Sequence, residues 1–97
     1  MRHFEVELSD TQWQLIEPLT LGRPGLSGAT GRDNRLFVNA VLYRTRSGIP
    51  WRELPERFGN WNTIARRFRR WAMAGVWRPI FIAAQVRNYE YEWALDY

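Results

Sequence analysis

An arginine cluster in residues 61–75 (WNTIARRFRRWAMAG) is the stretch of this sequence best suited to bind an anion. Four arginines fall within five residues there: Arg66, Arg67, Arg69 and Arg70. A guanidinium group is planar and can form paired hydrogen bonds with phosphate oxygens or with the edge of guanine. Because four adjacent cations repel one another, we expect an anionic partner against them. A basic face that is simply solvated is the alternative.

The element that positions these arginines is predicted to be an amphipathic helix over residues 61–75. Six apolar residues recur there with the helical period: Trp61, Ile64, Ala65, Phe68, Trp71 and Ala72. The opposite side carries a polar set with the same period: Thr63, Arg66, Arg67 and Arg70. The pattern predicts that Trp61, Phe68 and Trp71 are buried in a core.

The residues before this helix favour a helix-turn-helix unit. Trp51, Leu54 and Phe58 are spaced for a short helix over residues 50–58, Gly59 suits a tight turn and Asn60 suits an N-cap. Residues 61–75 would then be the recognition helix, whose first turns meet base edges while later residues reach phosphates. The candidates for reading bases are Asn62, Thr63, Arg66 and Arg67. The candidates for phosphate contacts are Arg44, Arg57, Arg66, Arg69 and Arg70.

Three segments resemble one known family. Residues 48–71 (GIPWRELPERFGNWNTIARRFRRW) resemble the hallmark of the N-terminal domain of DDE-type insertion-element transposases, the kind often split over two reading frames. Residues 8–19 (LSDTQWQLIEPL) are similar to the opening of that domain, and residues 22–25 (GRPG) to its basic linker. The resemblance covers most of residues 8–81, and it implies that the DNA target is the terminal inverted repeats of an element.

The remaining segments complete a predicted all-α fold, a small bundle of four to five helices. Ser9 and Gln12 have the spacing of a capping box before a short helix that would bury Trp13, Leu15 and Ile16. Asp33 is a plausible N-cap for a helix over residues 34–47, in which Leu36, Phe37, Ala40 and Val41 follow the helical period and Asn39 lies near the rim. Gly48 would end this helix, and a last helix is predicted over residues 76–87.

Residues 21–31 are rich in glycine and predict a loop that carries Arg23 and leads to Arg32. A flexible basic arm of this kind can enter the minor groove of DNA, which makes Arg23 and Arg32 further candidate DNA contacts. A plain connector is the alternative. Residues 1–87 are therefore predicted to form a helical DNA-binding domain.

Residues 88–97 differ in character, because Tyr89, Tyr91 and Trp93 alternate with acids as in a strand. The resemblance implies that this extended tail corresponds to the first strand of a catalytic domain and that Asp96 matches the first acid of the DDE triad. A two-metal site needs further acids from a central sheet that this sequence does not supply. We therefore expect no catalysis by this chain on its own.

Composition limits the other function classes. The 97 residues contain no cysteine and a single histidine, His3, so disulfides, zinc sites and His-assisted nucleophiles are not expected, and no cofactor is predicted. The net charge is +4, but residues 20–88 carry 13 arginines against three acids. All basic residues are arginine, which suits nucleic acid, although a GC-rich genome has the same effect. No long apolar run or signal pattern is present, so a cytoplasmic protein without a membrane partner is expected.

The sequence is compatible with three functions. The leading one is a DNA-binding module of transposase origin whose partner is double-stranded DNA. The second is the front part of a transposase completed by a downstream frame, which the following codons would reveal. The third is a protein-interaction module, in which the tail or Trp77 and Phe81 contact a second copy or a transposase subunit. Light scattering with and without DNA would separate the third from the first.

Overall fold

The computed structural model describes residues 7–20 and 31–86, and the regular structure within these residues is entirely helical. It has four α-helices: α1 (Asp10–Thr20), α2 (Gly31–Ser47), α3 (Trp61–Met73) and α4 (Trp77–Ala83). The prediction of an all-α bundle is therefore confirmed. The loop with Arg23 and the tail with Asp96 lie outside the described residues, so the domain boundary at residue 87 stays a prediction.

Helix α1 begins with the predicted capping box. The Ser9 hydroxyl accepts a hydrogen bond from the Gln12 amide, and the Gln12 side chain accepts one from the Ser9 amide, each over 3.1 Å. Trp13 and Ile16 are buried against the core, but Leu15 is largely exposed, so its predicted burial was wrong. The buried positions follow a spacing of three to four residues, which leaves Leu15 on the solvent side.

Helix α2 begins three residues earlier than predicted, so Asp33 lies in its first turn and is not the N-cap. The helix packs against α1, α3 and the segment that follows it, which buries more of its circumference than a single apolar face. Asn39, predicted at the rim, is buried and its side chain accepts a hydrogen bond from the Leu8 amide (2.9 Å), while Leu36 is half-exposed. Gly48, with a φ of 74°, follows the helix as predicted.

The predicted short helix over residues 50–58 is instead two 3₁₀ turns, Trp51–Glu53 and Glu56–Phe58. Pro55 explains the break, because proline lacks an amide hydrogen and forces the preceding Leu54 into an extended conformation with a ψ of 138°. The two turns nevertheless bury Trp51, Leu54 and Phe58, as the spacing of these residues predicted.

Helix α3 follows the sequence pattern closely. The Asn60 side chain caps it by accepting hydrogen bonds from the amides of Asn62 (2.9 Å) and Thr63 (3.2 Å). Phe68 and Trp71 are buried as predicted, together with Ile64 and Ala65. Trp61, in contrast, is 42% exposed, so its predicted burial was wrong. It occupies the first position of the helix, where the apolar stripe extends past the part that neighbouring elements cover.

Replacing the α3 cap should cost stability without changing the core. Asn60→Ala removes the acceptor for two helix-terminal amides and should lower the free energy of unfolding by about 1 kcal/mol. Chemical denaturation would measure the change. Asn62→Ala is the matched control, since Asn62 is exposed and gains helix propensity on substitution. An equal loss in both variants would contradict the capping role.

Helix α4 is shorter than the predicted helix over residues 76–87, because Gln85 adopts a left-handed conformation with a φ of 61°. It places Trp77 at the centre of the aromatic core, where the indole nitrogen donates a hydrogen bond to the Phe68 carbonyl (3.0 Å). Trp77 and Phe81 are both buried, so neither is available as the partner contact considered from the sequence. None of the helices in the described residues is both long enough and apolar enough to cross a bilayer.

Candidate nucleic-acid interface

The side of α3 that points away from the core carries a polar and basic surface, which we call the outer face. Its members are all exposed: Asn62, Thr63, Arg66, Arg69 and Arg70. The opposite side holds Ile64, Phe68 and Trp71 in the core, so the orientation of the outer face is fixed by packing. Five of the residues predicted to contact DNA are thus brought together on one accessible surface.

Arg67 does not belong to this surface, although the sequence placed it among the base-reading residues. Its side chain is only 15% exposed and lies against α2. One guanidinium nitrogen donates to the Asp33 carboxylate (3.2 Å), and the other donates to the side-chain oxygen of Asn34. The guanidinium also lies 4.3 Å from the centre of the Phe37 ring. Arg67 therefore holds α3 against α2, and the prediction that it reads bases conflicts with this geometry.

The electrostatics of Arg67 agree with a structural role. Burial lowers the pKa of Arg67, Asp33 offsets part of this effect, and the nearby positive charge of Arg70 lowers the pKa further. Stacking of a guanidinium on an aromatic ring compensates for part of the lost hydration. The side chain is thus satisfied within the protein, and a base contact would require it to leave these partners.

Removing Arg67 should therefore affect folding first. Arg67→Ala should lower the free energy of unfolding by roughly 1–3 kcal/mol, because it leaves the side chain of Asn34 without a hydrogen bond and exposes the Phe37 ring. Thermal unfolding would measure the loss, with Arg66→Ala as the control of equal charge on the exposed side. If the two variants unfold at the same temperature, Arg67 does not link α2 to α3.

Arg44 also departs from its predicted role as a phosphate contact. The residue is 5% exposed, and its guanidinium lies 4.3 Å from the centre of the Trp51 ring. Burial lowers the pKa of Arg44 to about 10. A phosphate cannot approach a guanidinium that is enclosed in this way, so Arg44 is a core residue. Arg44 lies three residues after the buried Val41 and four after the buried Ala40, so it is on the same side of α2 as these core residues.

Arg57, in contrast, keeps a position suited to a phosphate contact. It lies in the second 3₁₀ turn and is exposed, while its guanidinium stacks on the rings of Phe58 (4.5 Å) and Tyr43 (5.2 Å). An exposed cation that is already held on aromatic rings loses less conformational entropy when it binds an anion. Arg32 lies in α2 with its side chain outside the described residues, so its predicted contact stays a prediction, as does that of Arg23.

A groove of about 250 Å³ separates the beginnings of α2 and α3. Its apolar lining includes Phe37, Phe58 and Ile64, and its polar lining consists of Asp33, Asn60, Thr63 and Arg67. The groove joins the outer face through Thr63. Asp33 is 57% exposed here, although its carboxylate is paired with Arg67, whose side chain is largely covered.

Sequence reasoning missed two features of this region. The pairing of Asp33 with Arg67 joins residues 34 positions apart, and neither helical period nor capping rules contain information on such a contact. The exposure of the Trp61 indole was also missed, because this residue follows the helical period of the apolar stripe and was therefore predicted to be buried. Within residues 7–20 and 31–86 no cluster of three histidine, cysteine or acidic residues is arranged to hold a metal ion.

Comparison with known proteins identifies relatives among insertion elements. The family model described as "Putative transposase of IS4/5 family (DUF4096)" matches residues 8–81. Uncharacterized protein y4sN of Sinorhizobium fredii is 39% identical over 90 residues, which are 91% of this chain and 70% of that protein. The insertion element IS402 uncharacterized 16.2 kDa protein of Burkholderia cepacia is 36% identical over 76 residues, which are 72% of this chain and 52% of that protein. No solved structure matches the chain significantly.

Proposed function

This chain belongs to the IS4/5 family of insertion-element transposases, and we propose that it acts there as a module that binds double-stranded DNA. The observation that carries the proposal is the outer face of α3, where three exposed arginines adjoin two exposed hydrogen-bonding side chains at a capped helix start. The resemblance of residues 48–71 to transposase N-terminal domains suggests the terminal inverted repeats of the element as the target.

In this proposal α3 enters the major groove as the recognition helix of a helix-turn-helix-like unit, in which the two 3₁₀ turns replace the usual first helix. Asn62, Thr63 and Arg66 lie in its first two turns and would meet base edges. Arg69 and Arg70 lie one turn further along and would meet phosphates, as would Arg57 beside the helix start. A protein with this ligand is expected in the cytoplasm.

Selection of bound duplexes from a random DNA pool tests the proposal directly. An enriched sequence should emerge, and Arg66→Ala should lower the discrimination at one or two of its base pairs by about 1–3 kcal/mol. Arg70→Ala is the matched control, because loss of a phosphate contact should weaken binding to all sequences equally. Affinities for a panel of single-base variants would separate the two effects. A pool without enrichment would instead support an interaction module.

The relatives favour one further possibility for the whole protein. The chain spans about half of the IS402 protein, so the module can be the DNA-binding part of a larger transposase. Asp96 would then be the first acid of the catalytic triad, as the resemblance implies. Translation of the downstream reading frame would show whether further acids follow. Strand cleavage by the completed protein would test its activity.

A further inference from the structure

The groove beside α3 places one carboxylate at the edge of a basic surface. Asp33 shares this groove with Thr63 of the outer face. Its partner Arg67 is 15% exposed, whereas Asp33 itself is 57% exposed. Arg67 also lines the groove, but a ligand that approaches on this side meets the more exposed carboxylate of the ion pair first. The negative charge lies next to a residue that is placed to read bases.

We propose that Asp33 is a specificity-determining residue that repels phosphates from the α2 side of the outer face and thereby restricts how a DNA duplex can lie on α3. The inference rests on the proposed function, and it adds a repulsive element to the attraction of the arginines. In the target orientation the backbone lies over Arg69 and Arg70 and avoids the groove. In other orientations a phosphate approaches Asp33.

Repulsion of this kind contributes to specificity more than to affinity. Phosphate contacts are insensitive to sequence and tolerate many registers of the duplex. Discrimination therefore benefits from an element that weakens the wrong registers while leaving the correct one unchanged. Like charges brought together at an interface are costly, since partial desolvation strengthens their interaction. Arg67 holds the carboxylate in place and offsets part of its charge, so the repulsion acts at a fixed position and is weaker than that of an isolated carboxylate.

Asp33→Asn tests the proposal, because an asparagine oxygen can still accept the hydrogen bond from Arg67 while the charge is lost. The matched control is Asp10→Asn, which removes a carboxylate that is likewise in the first turn of a helix and paired with an arginine, Arg35 (2.9 Å). Both variants raise the net charge by one. Asp33→Glu restores the charge and serves as a rescue variant.

The probes are the duplex enriched from the random pool and a shuffled duplex of the same length and composition. Asp33→Asn should bind the shuffled duplex about three- to tenfold more tightly and the enriched duplex with little change, so the ratio of the two affinities falls. The affinity of Asp33→Asn for the shuffled duplex should also fall more steeply with salt, by about the slope that one phosphate contact contributes. Asp10→Asn and Asp33→Glu should keep the wild-type ratio.

Equal behaviour of Asp33→Asn and Asp10→Asn would overturn the inference, since the effect would then be one of net charge. Weaker binding of Asp33→Asn to both duplexes would also overturn the inference, because Asp33 would then support the fold or contact DNA directly. Thermal unfolding of each variant separates these two cases. If the wild-type protein binds neither duplex, the proposed function fails and the inference fails with it.

Discussion

Trp77→Ala should lower the free energy of unfolding by about 3–5 kcal/mol, the range typical of a large aromatic residue removed from a core. The indole is buried and lies within 6 Å, between ring centres, of Phe37 (5.7 Å), Phe68 (5.1 Å), Trp71 (5.5 Å) and Phe81 (5.7 Å). Its removal leaves a cavity among these rings and deprives the Phe68 carbonyl of a hydrogen bond. A small domain has a stability of about 5–15 kcal/mol, so the variant should be barely folded.

Trp61→Ala is the control for this prediction, because it removes the same side chain from an exposed position. With 42% of its surface already in solvent, against 2% for Trp77, Trp61 should contribute clearly less to stability than Trp77. Urea denaturation monitored by circular dichroism would compare the two variants without relying on the fluorescence of the remaining tryptophans. Similar losses in both would show that the core is not centred on Trp77.

The comparison of these tryptophans also shows how far helical periodicity predicts this fold. It identified the buried face of α3 correctly because Phe68 and Trp71 lie in the part of the helix that neighbouring elements cover. Helical periodicity gave the wrong burial for Trp61, because it does not indicate where along the helix the neighbouring elements end. The caps at Ser9 and Asn60 were predictable for the opposite reason, since they depend on side chains only two or three residues away.

The candidate site was predictable only in part, for a similar reason. The sequence shows that the arginines of α3 are clustered, but whether each one is exposed depends on contacts with residues far along the chain. Arg67 is captured by Asp33 and Asn34, and Arg44 is enclosed beside Trp51. A basic side chain near the boundary between the two faces of a helix can extend into solvent or pack against a neighbouring element. Tertiary contacts determine which of the two orientations it adopts. The other three arginines of α3 stay exposed.

These three arginines should supply most of the attraction for DNA. Replacing Arg66, Arg69 and Arg70 by alanine together should weaken binding at physiological salt on the order of 100-fold, because an arginine bound at a base edge displaces a counterion from the duplex as one bound at a phosphate does. The plot of log affinity against log salt should lose about 0.9 in slope for each contact, or roughly 2.7 in all. Fluorescence anisotropy with a labelled duplex over a range of salt concentrations would measure both quantities.

The matched control is the double replacement of Arg52 and Arg78, two exposed arginines outside α3. If affinity depended on net charge alone, the slope of log affinity against log salt would fall in this double variant by about two-thirds of its fall in the triple variant. If the outer face of α3 is the binding surface, the loss of slope should be well below one contact, because neither arginine belongs to that face. The fold should persist in both proteins, since exposed substitutions away from special features change stability by about 0.5 kcal/mol or less. Proportional losses in the two variants would therefore favour a diffuse electrostatic attraction over a defined DNA-binding face.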